Sequence, residues 1–247
     1  MPNGPDPDFP YLSENERFRF PDPGEAAHDS IICWGGNLSP GMLLSAYEQG
    51  LFPWFSEGEP VIWHSPDPRF VIFPETLHIS SSMKKVLKQG RFEISLDRDF
   101  PAVIKACSAA VRPGQDGTWI TDSVISAYTE LHRLGWAHSA EARYESKLAG
   151  GCYGIRLGGV FFGESMFSLV PNASKAAFLS LARLLFDDGL VFIDCQQHTR
   201  HMENLGGVDL SRRNFLALLE ENRSLRAVAA AAAVADETDR RGSWAEL

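Results

Sequence analysis

The sequence predicts an α+β protein with a small N-terminal α/β domain over residues 1–70, a larger second domain over 71–220 and an alanine-rich tail over 221–247. Three observations predict it. Strand-like stretches at about 137–144, 148–156 and 160–168 are separated by Glu145-Ser146-Lys147 and Leu157-Gly158-Gly159, short turns with hairpin chemistry. A helical stretch over 173–188 and a short apolar strand over 190–194 follow, and a strand reached through a helix can lie parallel to the one before it. The chain has 247 residues, 44% hydrophobic and 22% charged, enough to bury a core in one or two domains.

Residues 1–30 are rich in proline and poor in aliphatic side chains, and read as an irregular acidic arm packed in part by Phe18 and Phe20. Ser39 is a good N-cap, Pro40 suits the first helical position, Met42, Leu43, Ala46 and Tyr47 form an apolar stripe, and Gly50 ends the helix. An aromatic and proline segment then runs through Trp54, Phe55, Trp63 and Pro68. Phe70–Phe73 is strand-like. Ser80 or Ser81 caps a helix ending at Gly90, and Phe92–Leu96 is a second strand. Asp99 with Pro101 starts a helix reaching Ala110. Asp122 is the expected cap of another, in which Val124, Ile125, Tyr128, Leu131 and Leu134 recur at helical spacing. After the strand ending at 194, two short helices close the body. Residues 227–235 are alanine and valine throughout and read as a weak helix. No internal repeat is visible.

The net charge of −9 argues against nucleic acid, but it is uneven. Residues 1–30 hold two arginines against seven acids and residues 220–247 four against six, so the middle is nearly neutral and can carry a local basic face. No apolar run approaches a membrane span and no leader peptide is visible, so a cytoplasmic location and no membrane partner are expected. The cysteines, Cys33, Cys107, Cys152 and Cys195, are scattered without a paired motif and read as reduced thiols.

The chemistry-bearing residues cluster late in the chain. Glu164 follows Val160-Phe161-Phe162-Gly163 on an apolar strand, either as a carboxylate that binds a cation or as half of an internal salt bridge. Asp194 and Gln196, two apart, share a face if the strand continues. A carboxylate can take up or orient a proton, and a Gln amide can aim an amine, so the pair suits an amine nucleophile. The competing reading makes Asp194 a helix cap. Cys195 alternates away from Asp194 and is a weak candidate nucleophile. His198 and His201 have helical spacing, but no further ligand pair is evident and no metal is expected. Lys84, Lys85 and Lys88 with Arg91 crowd one short helix and its exit, as a solvated face or a phosphate-binding one. Arg212 and Arg213 could add to it. Trp54, Trp63 and Trp119 read as core more readily than as stacking surfaces.

Several segments together resemble the leucyl/phenylalanyl-tRNA–protein transferase family. They are Trp34-Gly35-Gly36-Asn37-Leu38-Ser39-Pro40, Gly50-Leu51-Phe52-Pro53-Trp54-Phe55, Trp63-His64-Ser65-Pro66-Asp67-Pro68-Arg69, Leu77-His78-Ile79-Ser80, Gly117-Thr118-Trp119-Ile120-Thr121, Ala137-His138-Ser139 and the stretch from Phe162 to Gln196. The resemblance implies a GNAT-like acyltransferase fold for the second domain. It implies transfer of Leu or Phe, and less readily Met, from leucyl- or phenylalanyl-tRNA to proteins beginning with Arg or Lys, marking them for N-degron degradation. On the matching positions, Asp194 and Gln196 correspond to a catalytic pair and Glu164 to a site carboxylate. Met166 and Ile193 correspond to the lining of an apolar pocket for the transferred side chain. Cys152, Leu181 and Leu185 stand where the resemblance leads one to expect a Met and two Phe.

The aminoacyl ester is already activated, so no cofactor is expected; a monomer is the default. Asp194→Asn and Gln196→Ala are expected to lose transfer while keeping the fold. Two rival readings are an acetyl-CoA-dependent enzyme and a noncatalytic RNA-binding module. The first needs a glycine-rich turn before the helix, and Leu169-Val170-Pro171-Asn172-Ala173-Ser174-Lys175 has no glycine.

Overall fold

The computed structural model describes residues 8–26, 30–110 and 118–222. The tail and residues 1–7, 27–29 and 111–117, including Gly117, lie outside the described residues.

Within the arm, Leu12 and Phe20 are buried, and Phe20 sits edge-on to Trp63 at 4.9 Å while Phe18 packs on Phe20. Strand β1 (Ile31–Trp34) leads to α1 (Pro40–Glu48), and then come β2 (Phe52–Pro53) and β3 (Ile62–His64). These strands form a small antiparallel sheet in the order β1-β3-β2, which the sequence reading lacked. Helix α1 starts at Pro40 as expected, but Ser39 makes no side-chain capping bond. The arm does that work: the Gly41 N–H donates to the Leu12 carbonyl at 3.0 Å. A side chain at Gly41 would collide with the backbone of Ser13 and Glu16, so this residue lets the arm lie against the helix.

The larger sheet has seven strands in the order β10-β4-β9-β8-β7-β6-β5. They are β4 (Arg69–Ile72), β5 (Glu93–Leu96), β6 (Ala137–Tyr144), β7 (Lys147–Leu157), β8 (Val160–Ser168), β9 (Phe192–Asp194) and β10 (Val208–Leu210). Only the β8–β9 pair is parallel, the relation expected for strands joined through a helix. The helices are α2 (Ser81–Lys88), α3 (Phe100–Ser108), α4 (Asp122–Arg133), α5 (Ala173–Asp187), α6 (Arg200–Glu203) and α7 (Arg212–Asn222). Ser80 and Asp99 cap α2 and α3. The cap of α4 is Thr121, whose hydroxyl accepts from the Val124 N–H, while the expected cap Asp122 is the first helical residue.

Strand alternation sorts the core onto the two faces of this sheet. Val71, Tyr153, Ile155, Val160, Phe162 and Phe192 pack with α1, α3, α4 and α7. Ile72, Cys152, Phe161 and Ile193 pack with α2 and α5. Helix α1, from the first 70 residues, thus shares a core with β7 and β8.

Two irregularities meet at one place. Across the β7–β8 ladder Tyr153 faces Ser165 and Gly154 faces Gly163, so Glu164 is an extra residue in β8, a bulge. Across β8–β9 the pairing runs from Val160–Phe192 to Phe162–Asp194 and stops, while β8 continues to Ser168. The sheet therefore loses its β8–β9 hydrogen bonding beside the bulge.

Candidate active site

The bulge aims Glu164 at the face covered by α1 and α4. Both helices present a fully buried tyrosine there, Tyr47 and Tyr128. The Tyr47 hydroxyl lies at hydrogen-bonding distance from Glu164 Oε1, 2.8 Å, and the Tyr128 hydroxyl from Oε2, 3.3 Å. The two hydroxyls also approach each other to 2.5 Å. Gln196 Nε2 donates to Oε1 at 3.3 Å. Burial pushes the Glu164 carboxyl up to about 8, against the opposing pull of the tyrosine hydroxyls and with a further push from the Asp194 charge. Both phenols are driven well above their usual range, first by burial and then by Glu164. No ion pair among the described residues includes Glu164, so the internal salt-bridge reading finds no partner there.

Asp194 lies in a different setting. Arg69 Nε donates to its Oδ1 at 2.9 Å and Nη2 to its Oδ2 at 2.6 Å, and both side chains are fully buried. The guanidinium also sits over the rings of Phe215, at 4.4 Å, and Phe52, at 4.9 Å. Asp194 Oδ1 further accepts the backbone N–H of Gln196 at 2.9 Å. That bond belongs to a chain reversal. Strand β9 ends at Asp194 and Gln196 has φ 57°, so the shared-face argument based on a continuing strand does not apply. A left-handed turn brings the Gln196 amide to Glu164 instead. Asp194 caps no helix; α6 is capped by Thr199.

The apolar residues singled out from the sequence gather on the opposite face. Cys152, Leu181, Leu185 and Ile193 are buried in the cluster around α5, with Met166 partly buried against it. Cys152 and Met166 are direct cross-strand neighbours. The carboxylates and the apolar lining thus lie on the two sides of the sheet, at the point where β8 and β9 part.

Other candidates fall elsewhere. Cys195 is partly buried, its thiol held protonated by burial and by the Asp194 charge. His198 stacks on Phe70 at 4.5 Å, with Glu203 at 3.6 Å and Asp209 at 3.8 Å. Among the described residues no three His, Cys, Asp or Glu side chains form a metal-binding group. Lys84, Lys85, Lys88 and Arg91 are not buried, and Arg91 lies over Tyr144 and Phe92. Arg212 cannot join them: it is buried, with Nη1 donating to the Ser65 carbonyl at 2.8 Å. Trp63 is core, as expected. Trp54 and Trp119 are not simply core, for they line an open cavity of about 800 Å³ with His64, Thr118, Thr121 and Asp122. His64 spends Nε2 on the Trp54 carbonyl, and burial lowers its proton affinity.

Comparison with known families decides what this constellation belongs to. Residues 71–220 match the leucyl/phenylalanyl-tRNA protein transferase family, and residues 36–67 match the N-terminal domain described for the same family. The chain belongs to this family.

Membership in the leucyl/phenylalanyl-tRNA–protein transferase family makes the chain an aminoacyl-transferring enzyme. It is 49% identical over 211 residues to the leucyl/phenylalanyl-tRNA–protein transferase of Nitratidesulfovibrio vulgaris, covering 85% of this chain and 90% of that one. It is 45% identical over 235 residues to that of Myxococcus xanthus, covering 95% of each. Among solved structures, a GCN5-related N-acetyltransferase from Kribbella flavida aligns at 12% identity over 70% of this chain and 62% of that one, with a TM-score of 0.37. No helix among the described residues is long and apolar enough to cross a membrane.

Sequence reasoning missed the site's supporting residues. Tyr47 and Tyr128 were read only as apolar positions, although a Tyr on a wholly buried helix face needs a partner for its hydroxyl. Arg69 opens the apolar strand β4 and could have been flagged as a buried charge in need of an acid.

Proposed function

We propose that this chain transfers Leu or Phe, and less readily Met, from aminoacyl-tRNA to the α-amine of proteins beginning with Arg or Lys. The observation that carries this reading is the asymmetry of the two carboxylates. Asp194 already has a cation in Arg69; Glu164 has hydroxyl and amide partners but no cation among the described residues. Glu164 is therefore the group suited to an acceptor's cationic side chain.

Asp194 acts as a positioning residue in this reading, holding the Gln196 backbone through the bond to its N–H. Gln196 Nε2 is spent on Glu164, and its amide oxygen can accept from the acceptor amine. An α-amine has an ordinary pKa near ~8, so a useful fraction is neutral at pH 7 without a strong base. The amine nitrogen attacks the ester carbonyl, a C–N bond forms, the C–O bond to the ribose breaks, and the amine proton ends on the ribose oxygen. Positioning of this kind can supply as much as roughly 7–11 kcal/mol of barrier lowering.

The parting of β8 and β9 suits an ester placed between the faces, with its side chain against Met166, Cys152 and Ile193 and the acceptor on the Glu164 side. An apolar slot discriminates by about 1–3 kcal/mol per methylene, consistent with accepting Leu, Phe and Met together. The meander β5–β8 followed by α5 and the parallel β9 supports a GNAT-like reading of the second domain. Trp54 and Trp119 offer flat surfaces on which the terminal tRNA base can stack, and Lys84, Lys85, Lys88 and Arg91 offer charge for its phosphates. The product marks its bearer for N-degron degradation in the cytoplasm.

The test is transfer of radiolabelled Leu from leucyl-tRNA to a peptide beginning with Arg, beside an N-acetylated copy. Label on the free-amine peptide alone is expected. Label on neither, with tRNA still bound, would favour a binding module.

A further inference from the structure

The contacts around Glu164 contain more links than the phenols have hydrogens. Tyr47–Tyr128, Tyr47–Glu164 and Tyr128–Glu164 close a triangle at 2.5, 2.8 and 3.3 Å. Each tyrosine has a single hydroxyl hydrogen. With an ionised carboxylate, two hydrogens must serve three oxygen–oxygen contacts, and one contact is left as bare lone-pair repulsion. A third hydrogen on Glu164 bridges every side: Oε2–H donates to Tyr128, Tyr128 to Tyr47, and Tyr47 to Oε1, which also accepts from Gln196.

The surroundings favour the same count. Tyr47 faces Glu164 from α1 and Tyr128 from α4, and both are fully buried. Tyr153 on β7 packs edge-on against Tyr128 at 5.8 Å. From β9 and the residues after it come Asp194, which is anionic, Cys195, whose thiol stays protonated, and the neutral Gln196. From β4 comes Arg69, whose Nε and Nη2 are both committed to Asp194. Arg69 and Asp194 cancel, so an ionised Glu164, a side chain only partly open to solvent, would be one negative charge in excess between two buried phenols, which is costly.

We propose that in the free enzyme Glu164, Tyr47 and Tyr128 share three hydrogens in a closed ring with Glu164 neutral, and that the acceptor's cationic side chain docks by displacing one of these protons to solvent. The second half rests on the reading of Glu164 as the acceptor-cation subsite. The balance is simple: the neutral carboxyl and a guanidinium become a carboxylate–guanidinium pair and one released proton. Tyr128 then donates to Tyr47 and Tyr47 to Oε1, leaving Oε2 for the guanidinium. Tyr47 and Tyr128 thereby make the subsite specific: only a ligand bringing its own positive charge can replace the proton it expels.

Two measurements separate the halves. Infrared difference spectroscopy of the ligand-free enzyme, wild type against Glu164→Gln, should show a protonated-carboxyl C=O band at pH 6–7 that fades as pH passes about 8. The same titration on wild type alone suffices if the variant does not fold. A carboxylate band throughout that range would overturn the proposal. Titration calorimetry then uses a peptide capped with des-amino arginine, which keeps the guanidinium but has no α-amine to titrate. At pH 7, the dependence of binding heat on buffer ionisation enthalpy should report close to one proton released per peptide, and close to none at pH 9. Binding without proton release at pH 7 would overturn the proton displacement and leave the cation subsite standing. A peptide that does not bind, although Arg-peptides are still aminoacylated, would overturn both.

Discussion

Arg69 and Asp194 are 125 residues apart in the chain and meet through two hydrogen bonds, with neither side chain touching solvent. Their pairing sets the cost of changing either one. Removing one partner of a buried pair leaves a naked charge, worth about 3–5 kcal/mol. Arg69→Met should lower the urea midpoint accordingly. Asp194→Asn should keep the fold but at lower stability. The double variant should recover much of the loss without recovering transfer. A double variant no more stable than either single one would show that the two charges are not coupled.

Gln196 carries its amide on a left-handed residue, φ 57°. Gln196→Gly keeps the turn and deletes the amide, and should cut transfer on the order of 100-fold by loss of positioning, with little change in melting temperature. Gln196→Ala keeps the left-handed strain that Gln already bears, about 1–2 kcal/mol that the glycine variant sheds, with the same catalytic loss. Comparing melting curves of the two with their single-turnover rates distinguishes damaged chemistry from damaged fold.

Stability should depend on pH through Glu164. Its carboxyl titrates near 4.5 ordinarily and at about 8 in the fold. The folded chain thus holds a proton that the unfolded chain gives up, so this group's contribution is complete below pH 4.5 and drains away as pH rises towards 8. Glu164→Gln should gain on wild type across that window. Urea midpoints for both at pH 5 and pH 8 measure the difference; an unchanged gap would place the carboxyl at its ordinary value.

Gly154 stands opposite Gly163 at the edge of the bulge, and a Cβ there would run into the Phe162 carbonyl and the Phe161 ring. Gly154→Ala should cost about 1–3 kcal/mol by overpacking and displace β8 beside Glu164. Transfer should fall more than for Gly58→Ala, where the added Cβ meets no neighbour and the cost is the left-handed backbone strain at φ 80° alone. Equal effects at the two sites would disconnect the ladder from the chemistry.

Replacing Lys84, Lys85 and Lys88 by Gln should weaken tRNA binding. The slope of log affinity against log salt should shrink by about 1 for each phosphate that these side chains neutralise. Filter binding between low and moderate salt reads this directly. A parallel line for the variant would clear α2 of any role in holding tRNA.

The order of elements from 137 to 194 was legible because its punctuation is local: hairpin turns, a helix after a loop, and capping residues such as Ser80 and Asp99. The sheet β1-β3-β2 was not, since two- and three-residue strands carry no measurable alternation. Glu164, Asp194 and Gln196 stood out as polar groups at apolar strand ends. Their division of labour did not, because it depends on Arg69, Tyr47 and Tyr128, which lie far off in sequence. The bulge was equally silent: Phe162-Gly163-Glu164-Ser165-Met166 reads as ordinary strand, and only its pairing with β7 exposes the surplus residue.

That surplus has a genetic corollary. Both flanks of Glu164 already lie in register with β7, Gly163 against Gly154 and Ser165 against Tyr153. Losing a single codon at this point would close the ladder and shift nothing else, yielding a tidier sheet with no acid in it. Architecture and chemistry are here separable by one triplet, so the imperfection persists only under selection for what the enzyme does.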